Sequence, residues 1–200
     1  MNANEKKEIT QIMKKSAKEA GYKSLGASFY KKFDNYLHIV NYVVNKKGFT
    51  CYSCIKEERL DYILWDVLDM QENKEGKYSI HVEGAFAAPS IKVDKYFYES
   101  AKDIGQTVVE LWDELKKDIE GILSKYLSME EIIFSKEMLS DDEKIIKCLI
   151  FIDKREINKA VELAKQELAN GNRGKYSNNG LFFYERVVSK SKLLELEEIH

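Results

Sequence analysis

Residues 28–55, SFYKKFDNYLHIVNYVVNKKGFTCYSCI, decide the fold. Their apolar positions are β-branched or aromatic, which suits a pleated, half-buried strand. Two polar breaks divide the stretch into three strands. Asp34 and Asn35 form the first, and both residue types tolerate a left-handed backbone, so a tight hairpin is expected there. Asn45 to Gly48 form the second, a longer loop ending in glycine. The first loop pairs Phe33 with Tyr36, and the second pairs Val44 with Phe49. Side chains alternate between faces with a period of two. One face then carries Phe29, Phe33, Tyr36, His38, Val40, Tyr42, Val44, Phe49, Cys51 and Ile55. The other carries Tyr30, Lys32, Leu37, Ile39, Asn41, Val43, Thr50 and Tyr52. A slip of one residue exchanges the faces but makes neither of them polar. The sheet is therefore expected to be covered, at least in part, on both sides.

The flanking segments supply the cover. In residues 4–20, Ile9, Ile12, Met13 and Ala17 recur at helical spacing, with Asn4 as a cap and Gly21 as a stop. Residues 57–70 carry a second apolar stripe, Leu60, Ile63, Leu64, Val67 and Leu68, with Asp66 and Asp69 on the other side. Tyr78 to Phe86 alternates as a fourth strand, and Ile91 to Tyr98 reads as a shorter fifth. Residues 99–127 form the longest helix, about 40 Å at the usual rise per residue, enough to cross a sheet.

Beyond residue 128 the pattern is helical. Ser140 and Glu143 have capping-box spacing, and Asp153 offers a second cap before the helix that Gly171 ends. Two helices joined so closely form a hairpin. Residues 170–180, NGNRGKYSNNG, read as a mobile loop before a last helix over 181–199. The expected class is α+β: an antiparallel or mixed sheet of four or five strands flanked by helices, with a C-terminal helical hairpin. Residues 1–130 form the α+β domain, and 131–200 a helical extension packed on it as one structural unit.

Composition narrows the function. The 200 residues include 32 basic and 34 acidic side chains, a net charge of −2, so no global field favours nucleic acid or an anionic membrane. No apolar run approaches bilayer-spanning length and the first thirty residues lack a signal-like apolar region, so a soluble, cytoplasmic protein is expected. Cys51, Cys54 and Cys148 fit a reducing compartment. Abundant Lys, Asn and Ile with a single proline, Pro89, suggests an AT-rich bacterial coding bias.

A leading helix, Gly21-Tyr22-Lys23, then Phe29-Tyr30-Lys31-Lys32 and the strand His38-Ile39-Val40-Asn41 resemble the bacterial domain-of-unknown-function 4304 family. The resemblance covers residues 1–130 and implies an uncharacterised α+β domain. It brings no catalytic residue to this chain.

Three groupings of reactive residues compete for a role. Cys51 and Cys54 form a CxxC, but a redox pair needs a helix N-terminus and zinc needs four ligands. Three apart on a strand, they face opposite sides and are expected to be reduced and metal-free. His38, His81, Glu83, Asp66 and Asp69 make up the alternative reading, a small metal-dependent hydrolase or nuclease, although no motif joins them. Glu72 with Lys74, and Glu75 with Lys77, match a nuclease only as letters, since they fall in a turn. No phosphate loop, dinucleotide fingerprint or nucleophile elbow occurs. No catalytic residue, metal or cofactor is therefore expected.

The third grouping is aromatic. Tyr30, Tyr36, Tyr42 and Tyr52, with His38, form the candidate binding surface, since tyrosine suits contact surfaces. Their plainer reading is a core lining with hydroxyls at its edge. Stacking on single-stranded nucleic acid needs basic surroundings, of which Lys31, Lys32, Lys46 and Lys47 supply little. The expected function is non-enzymatic protein binding, of immunity or regulatory type. The expected partner is another protein, with nucleic acid and membrane not expected.

Overall fold

A computed structural model of the chain describes residues 3–26, 28–74, 89–99 and 104–197, excepting the side chains of Glu99, Ile104 and residues 192–197. The strand expected at Tyr78–Phe86, with His81 and Glu83, lies outside the described residues, as does His200. Five strands, β1 (Lys23–Leu25), β2 (Ser28–Phe33), β3 (Tyr36–Val44), β4 (Gly48–Glu57) and β5 (Ile91–Glu99), form one antiparallel sheet in the order β1-β2-β3-β4-β5. The helices are α1 (Ala3–Glu19), α2 (Glu58–Leu68), α3 (Ile104–Lys125), α4 (Met129–Phe134), α5 (Asp141–Asp153), α6 (Ile157–Ala169) and α7 (Phe183–Glu197). A short ribbon pairs β6 (Ser177–Asn178) with β7 (Leu181–Phe182). The class is α+β. Among the described residues no helix is long and apolar enough to cross a membrane.

The chain divides into two compact units, residues 1–56 with 91–128, and residues 57–90 with 129–200. The first contains the sheet. Asp34 adopts φ +47° at the β2–β3 turn, so Phe33 pairs with Tyr36, Lys31 with His38 and Phe29 with Val40. At the next turn the Asn45 N–H donates to the Gly48 carbonyl at 2.9 Å. The Asn45 side-chain oxygen accepts from the N–H groups of Lys47 and Gly48, which staples the loop. This alternation places Phe29, Val40, Tyr42, Phe49 and Cys51 on the inner face. They pack there with Ile9, Met13 and Ala17 of α1 and Val108, Leu111, Trp112 and Leu115 of α3. Each large side chain buried in this way contributes roughly 1.5–3 kcal/mol. Strand β1 has no apolar alternation in Lys23-Ser24-Leu25 and becomes a strand by pairing with β2.

The second unit is helical. Helix α2 packs with α5 and α7, so it belongs with the C-terminal helices rather than with the sheet beside it in sequence. Glu57 accepts from the N–H of Met129 at 2.8 Å and from the Nε–H of Arg59 at 2.6 Å, and so caps the start of α4. The Ser140–Glu143 capping box forms as expected. Asp153 does not cap α6. It ends α5 and pairs with Arg59, while α6 starts after Glu156 with no side-chain cap.

The loop expected to be mobile at 170–180 is instead tied down. Gly171 at φ +81° closes α6, Arg173 binds Glu185 through two nitrogens at 2.8 and 3.0 Å, and Asn178 Nδ2 donates to the Leu68 carbonyl at 2.8 Å. Asparagine and glycine were the basis for reading a loose loop, but here they supply turn geometry and side-chain hydrogen bonds.

Candidate binding surface

The inner face takes three of the five expected surface residues out of reach. Tyr36 and Tyr42 are buried, and His38 has no exposed surface. Strand β3 aims His38 between two hydroxyls, with Nδ1 2.6 Å from Tyr22 Oη and Nε2 2.7 Å from the buried Ser53 Oγ. Burial pushes the imidazole down to about 4, and the Lys31 ammonium adds to the effect. At neutral pH the ring is uncharged, with one N–H and one lone pair. One hydroxyl therefore donates to it and the other accepts from it. Burial also pushes the Tyr22 phenol well above its ordinary range. The Ser53–His38 spacing matches that of an activated nucleophile and its base. Both side chains are fully buried, however, so the arrangement acts as a satisfied buried hydrogen-bond chain.

Beside this chain, a cleft of about 420 Å³ opens between the end of α1 and α3, walled by Tyr22, Phe33 and Trp112. Lys31 closes its aromatic wall. Its Nζ lies 5.6 Å from the Tyr22 ring centre and 5.0 Å from that of Phe33, and donates to the Ala20 carbonyl at 2.9 Å. The cation that such a wall would attract is thus already supplied by the chain, where it caps the C-terminal end of α1.

The other reactive groups are apart or engaged. Cys51 lies in the inner core, and burial pushes its thiol up to about 12. Cys54 belongs to the opposite face, with its Sγ 3.7 Å from the Ile39 carbonyl oxygen, and both cysteines are free thiols. At Asp66 burial opposes ionisation, but hydrogen bonds from Lys74 at 2.6 Å and Gln71 at 2.9 Å outweigh it and hold the carboxyl below its usual range. Asp69 is held low chiefly by its hydrogen bond from Lys190. Of the residues in the hydrolase reading, His38 thus bonds Tyr22 and Ser53, the two aspartates bond lysines and arginine, and His81 and Glu83 lie outside the described residues. Among the described residues no three His, Cys, Asp or Glu side chains are grouped to hold a metal ion.

The outer face of the sheet is different. Val43, Tyr52 and Phe97 are exposed by 53%, 38% and 50%, on β3, β4 and β5 respectively, a level unusual for large apolar side chains of a sheet. Thr50 pairs with Phe97 and Tyr52 with Lys95, which sets Tyr52 and Phe97 diagonally on neighbouring strands. The Lys95 ammonium lies 5.6 Å from the Tyr52 ring centre. Tyr30, on the same face, is half-buried. Phe97 was not among the expected surface residues. The register shifts by one between Ser53 and Cys54, so Asp94 pairs with Ser53, Lys92 with Cys54, and Val93 has no partner. Strict alternation along β5 would separate Lys92 from Lys95 and Phe97, and the shift brings all three to one face. Comparison of the chain with protein-family models, curated proteins and solved structures gives no match, so the reading of this surface rests on its own geometry.

Proposed function

We propose that this chain is a non-enzymatic protein-binding module, of regulatory or immunity type, that docks a partner protein on the outer face of its sheet. The observation that carries the reading is the exposure of Val43, Tyr52 and Phe97 on three adjacent strands. Contiguous exposed apolar side chains with a polar rim mark interaction sites, and aromatic residues are enriched at the centre of interfaces. Tyr52 and Tyr30 keep the part of the expected surface that solvent reaches, and Tyr36, His38 and Tyr42 support it from within. A cytoplasmic, bacterial setting and a place for residues 1–130 near the domain-of-unknown-function 4304 family belong to the same reading.

The test is affinity capture from an extract of the source cells, with the full chain and with Phe97→Asp, both shown to be folded by circular dichroism. A discrete protein retained by the wild type and lost from the variant is expected. Retention of the same proteins by both chains, or of none by either, overturns the reading.

A further inference from the structure

We infer that the cleft between the end of α1 and α3 binds a free amino acid with an apolar side chain, its carboxylate on Lys31 and its ammonium on Asp113. Both walls of the cleft belong to the unit that contains the sheet. Its volume of about 420 Å³ falls within the roughly 300–1,000 Å³ typical of small-molecule sites. The site lies on the helix-covered side of the sheet and is independent of partner docking on the outer face.

The charges along the cleft select the ligand's polar end. Glu19, Lys31, Asp113, Lys116 and Glu120 line it. Three of these have a partner of opposite sign one helical turn away: Lys116 lies 3.9 Å from Glu120, and Glu19 lies 4.0 Å from Lys15. Lys31 and Asp113 are left. Among the described residues no carboxylate lies within ion-pair distance of Lys31, and no cation within that of Asp113. Lys31 is half-buried, where an ammonium without a counter-ion costs more than in water. Its bond to the Ala20 carbonyl at 2.9 Å holds Nζ in place and leaves the other N–H donors of the ammonium to a ligand carboxylate. Asp113 follows Trp112 on α3 with its carboxylate exposed, an acceptor for a ligand ammonium. A bare acid would leave Asp113 unpaired, and a bare amine would leave Lys31 unpaired. A zwitterion pairs both.

The walls select the other end. Tyr22, Phe33 and Trp112 present rings, and those of Tyr22 and Trp112 are centred 5.0 Å apart. His38 Nδ1 holds the Tyr22 hydroxyl at 2.6 Å, so that phenol offers the cleft its ring rather than its polar end. Val109 adds an aliphatic side chain that is 49% exposed on the same wall as Trp112. A lining of rings and aliphatic carbon suits an aromatic or branched apolar side chain and offers a polar one few partners.

The test is isothermal titration calorimetry of the full chain with L-phenylalanine and L-leucine. Three further probes are N-acetyl-L-phenylalanine, which lacks the ammonium, phenethylamine, which lacks the carboxylate, and L-glutamine, which has a polar side chain. Phenylalanine or leucine is expected to bind with a Kd below about 1 mM, and loss of either charge to weaken binding at least about tenfold. Glutamine should bind more weakly than both apolar amino acids. Asp113→Asn should weaken phenylalanine binding at least about tenfold, and Lys31→Met should abolish it. Circular dichroism of both variants separates misfolding from lost recognition, and Asp113 is exposed, so its substitution leaves the core intact.

Binding of neither phenylalanine nor leucine overturns the inference. Equal binding of phenylalanine and either of its singly charged relatives overturns it as well, as does glutamine binding as tightly as the apolar amino acids. An unchanged affinity in Asp113→Asn also overturns it. Each of these outcomes leaves the outer-face reading standing, since partner capture and its loss in Phe97→Asp test that reading separately.

Discussion

On the inner face of the sheet, Tyr42 stacks on Phe29 with ring centres 5.4 Å apart, and Trp112 closes on Phe29 at 5.8 Å. On the outer face Leu37 and Ile39 are buried, whereas Val43, Tyr52 and Phe97 are exposed and the Lys95 ammonium lies over the Tyr52 ring. The two faces are built from the same residue types on the same strands. The difference lies in what covers them. Helices α1 and α3 bring Ile9, Met13, Leu111 and Leu115 to the inner face and convert its aromatic residues into core. An aromatic residue on a strand becomes a core residue or a contact residue according to its neighbours in space, which its own identity does not specify.

The comparison breaks most visibly in unfolding experiments. Phe29→Ala should lower stability by about 3–5 kcal/mol, because it leaves a cavity between Tyr42 and Trp112. Phe97→Ala should change stability by no more than about 0.5 kcal/mol. Guanidinium denaturation followed by tryptophan fluorescence measures both. Similar losses from the two substitutions would mean that the outer face is covered in solution.

Acid should find the inner face as well. The folded imidazole of His38 titrates near 4, below the value near 6.5 of an unfolded histidine. Above pH 6.5 neither state binds the proton and the buried histidine costs nothing. Between pH 6.5 and 4 the unfolded chain takes up the proton and the folded one does not, so stability falls as pH falls. The loss at pH 4 should be on the order of 3 kcal/mol. His38→Gln, which keeps hydrogen-bonding capacity but cannot titrate, should flatten this limb when urea midpoints are compared across the range. An equally steep limb in the variant would assign the acid sensitivity to other groups.

How far these faces could be read in advance follows from the same chemistry. The β2–β3 and β3–β4 hairpins, the inner set of side chains and helix α3 were legible, because alternation and helical periodicity are local properties. The Ser140 cap was legible for the same reason. Strand β1 and helix α4 were not, since Lys23–Leu25 and Met129–Phe134 are too short to show a period. The candidate surface was legible only in part. Alternation had already set Tyr36, His38 and Tyr42 on one face and Tyr30 and Tyr52 on the other, as the register has them, but it did not show that α1 and α3 bury the first set. Phe97 was hidden by the shift at Val93, which no alternation rule foresees. A possible signal was the triplet Lys92, Lys95 and Phe97, whose spacing becomes coherent only when one residue of β5 is skipped.

A smaller test concerns the hydrogen-bond chain. Ser53→Ala leaves the His38 Nε2 buried without its partner at 2.7 Å, and should cost about 1–3 kcal/mol. Tyr52→Ala, on the adjacent position of the same strand, should cost about 1 kcal/mol or less. The pair is informative because the two residues are consecutive in the chain and face opposite sides of the sheet. If Ser53→Ala proves as mild as Tyr52→Ala, water enters at Ser53 and the inner face is less well sealed than its burial indicates.

The smallest effect on stability should come from Lys95→Met. The substitution keeps most of the stem and removes the charge that lies over Tyr52, so it should cost no more than about 0.5 kcal/mol, the low end for an exposed cation–π contact. Added salt should screen part of that cost. Urea midpoints of the two chains at low and high salt measure both, and a cost that salt leaves unchanged would assign the loss to packing of the Lys95 stem rather than to its charge.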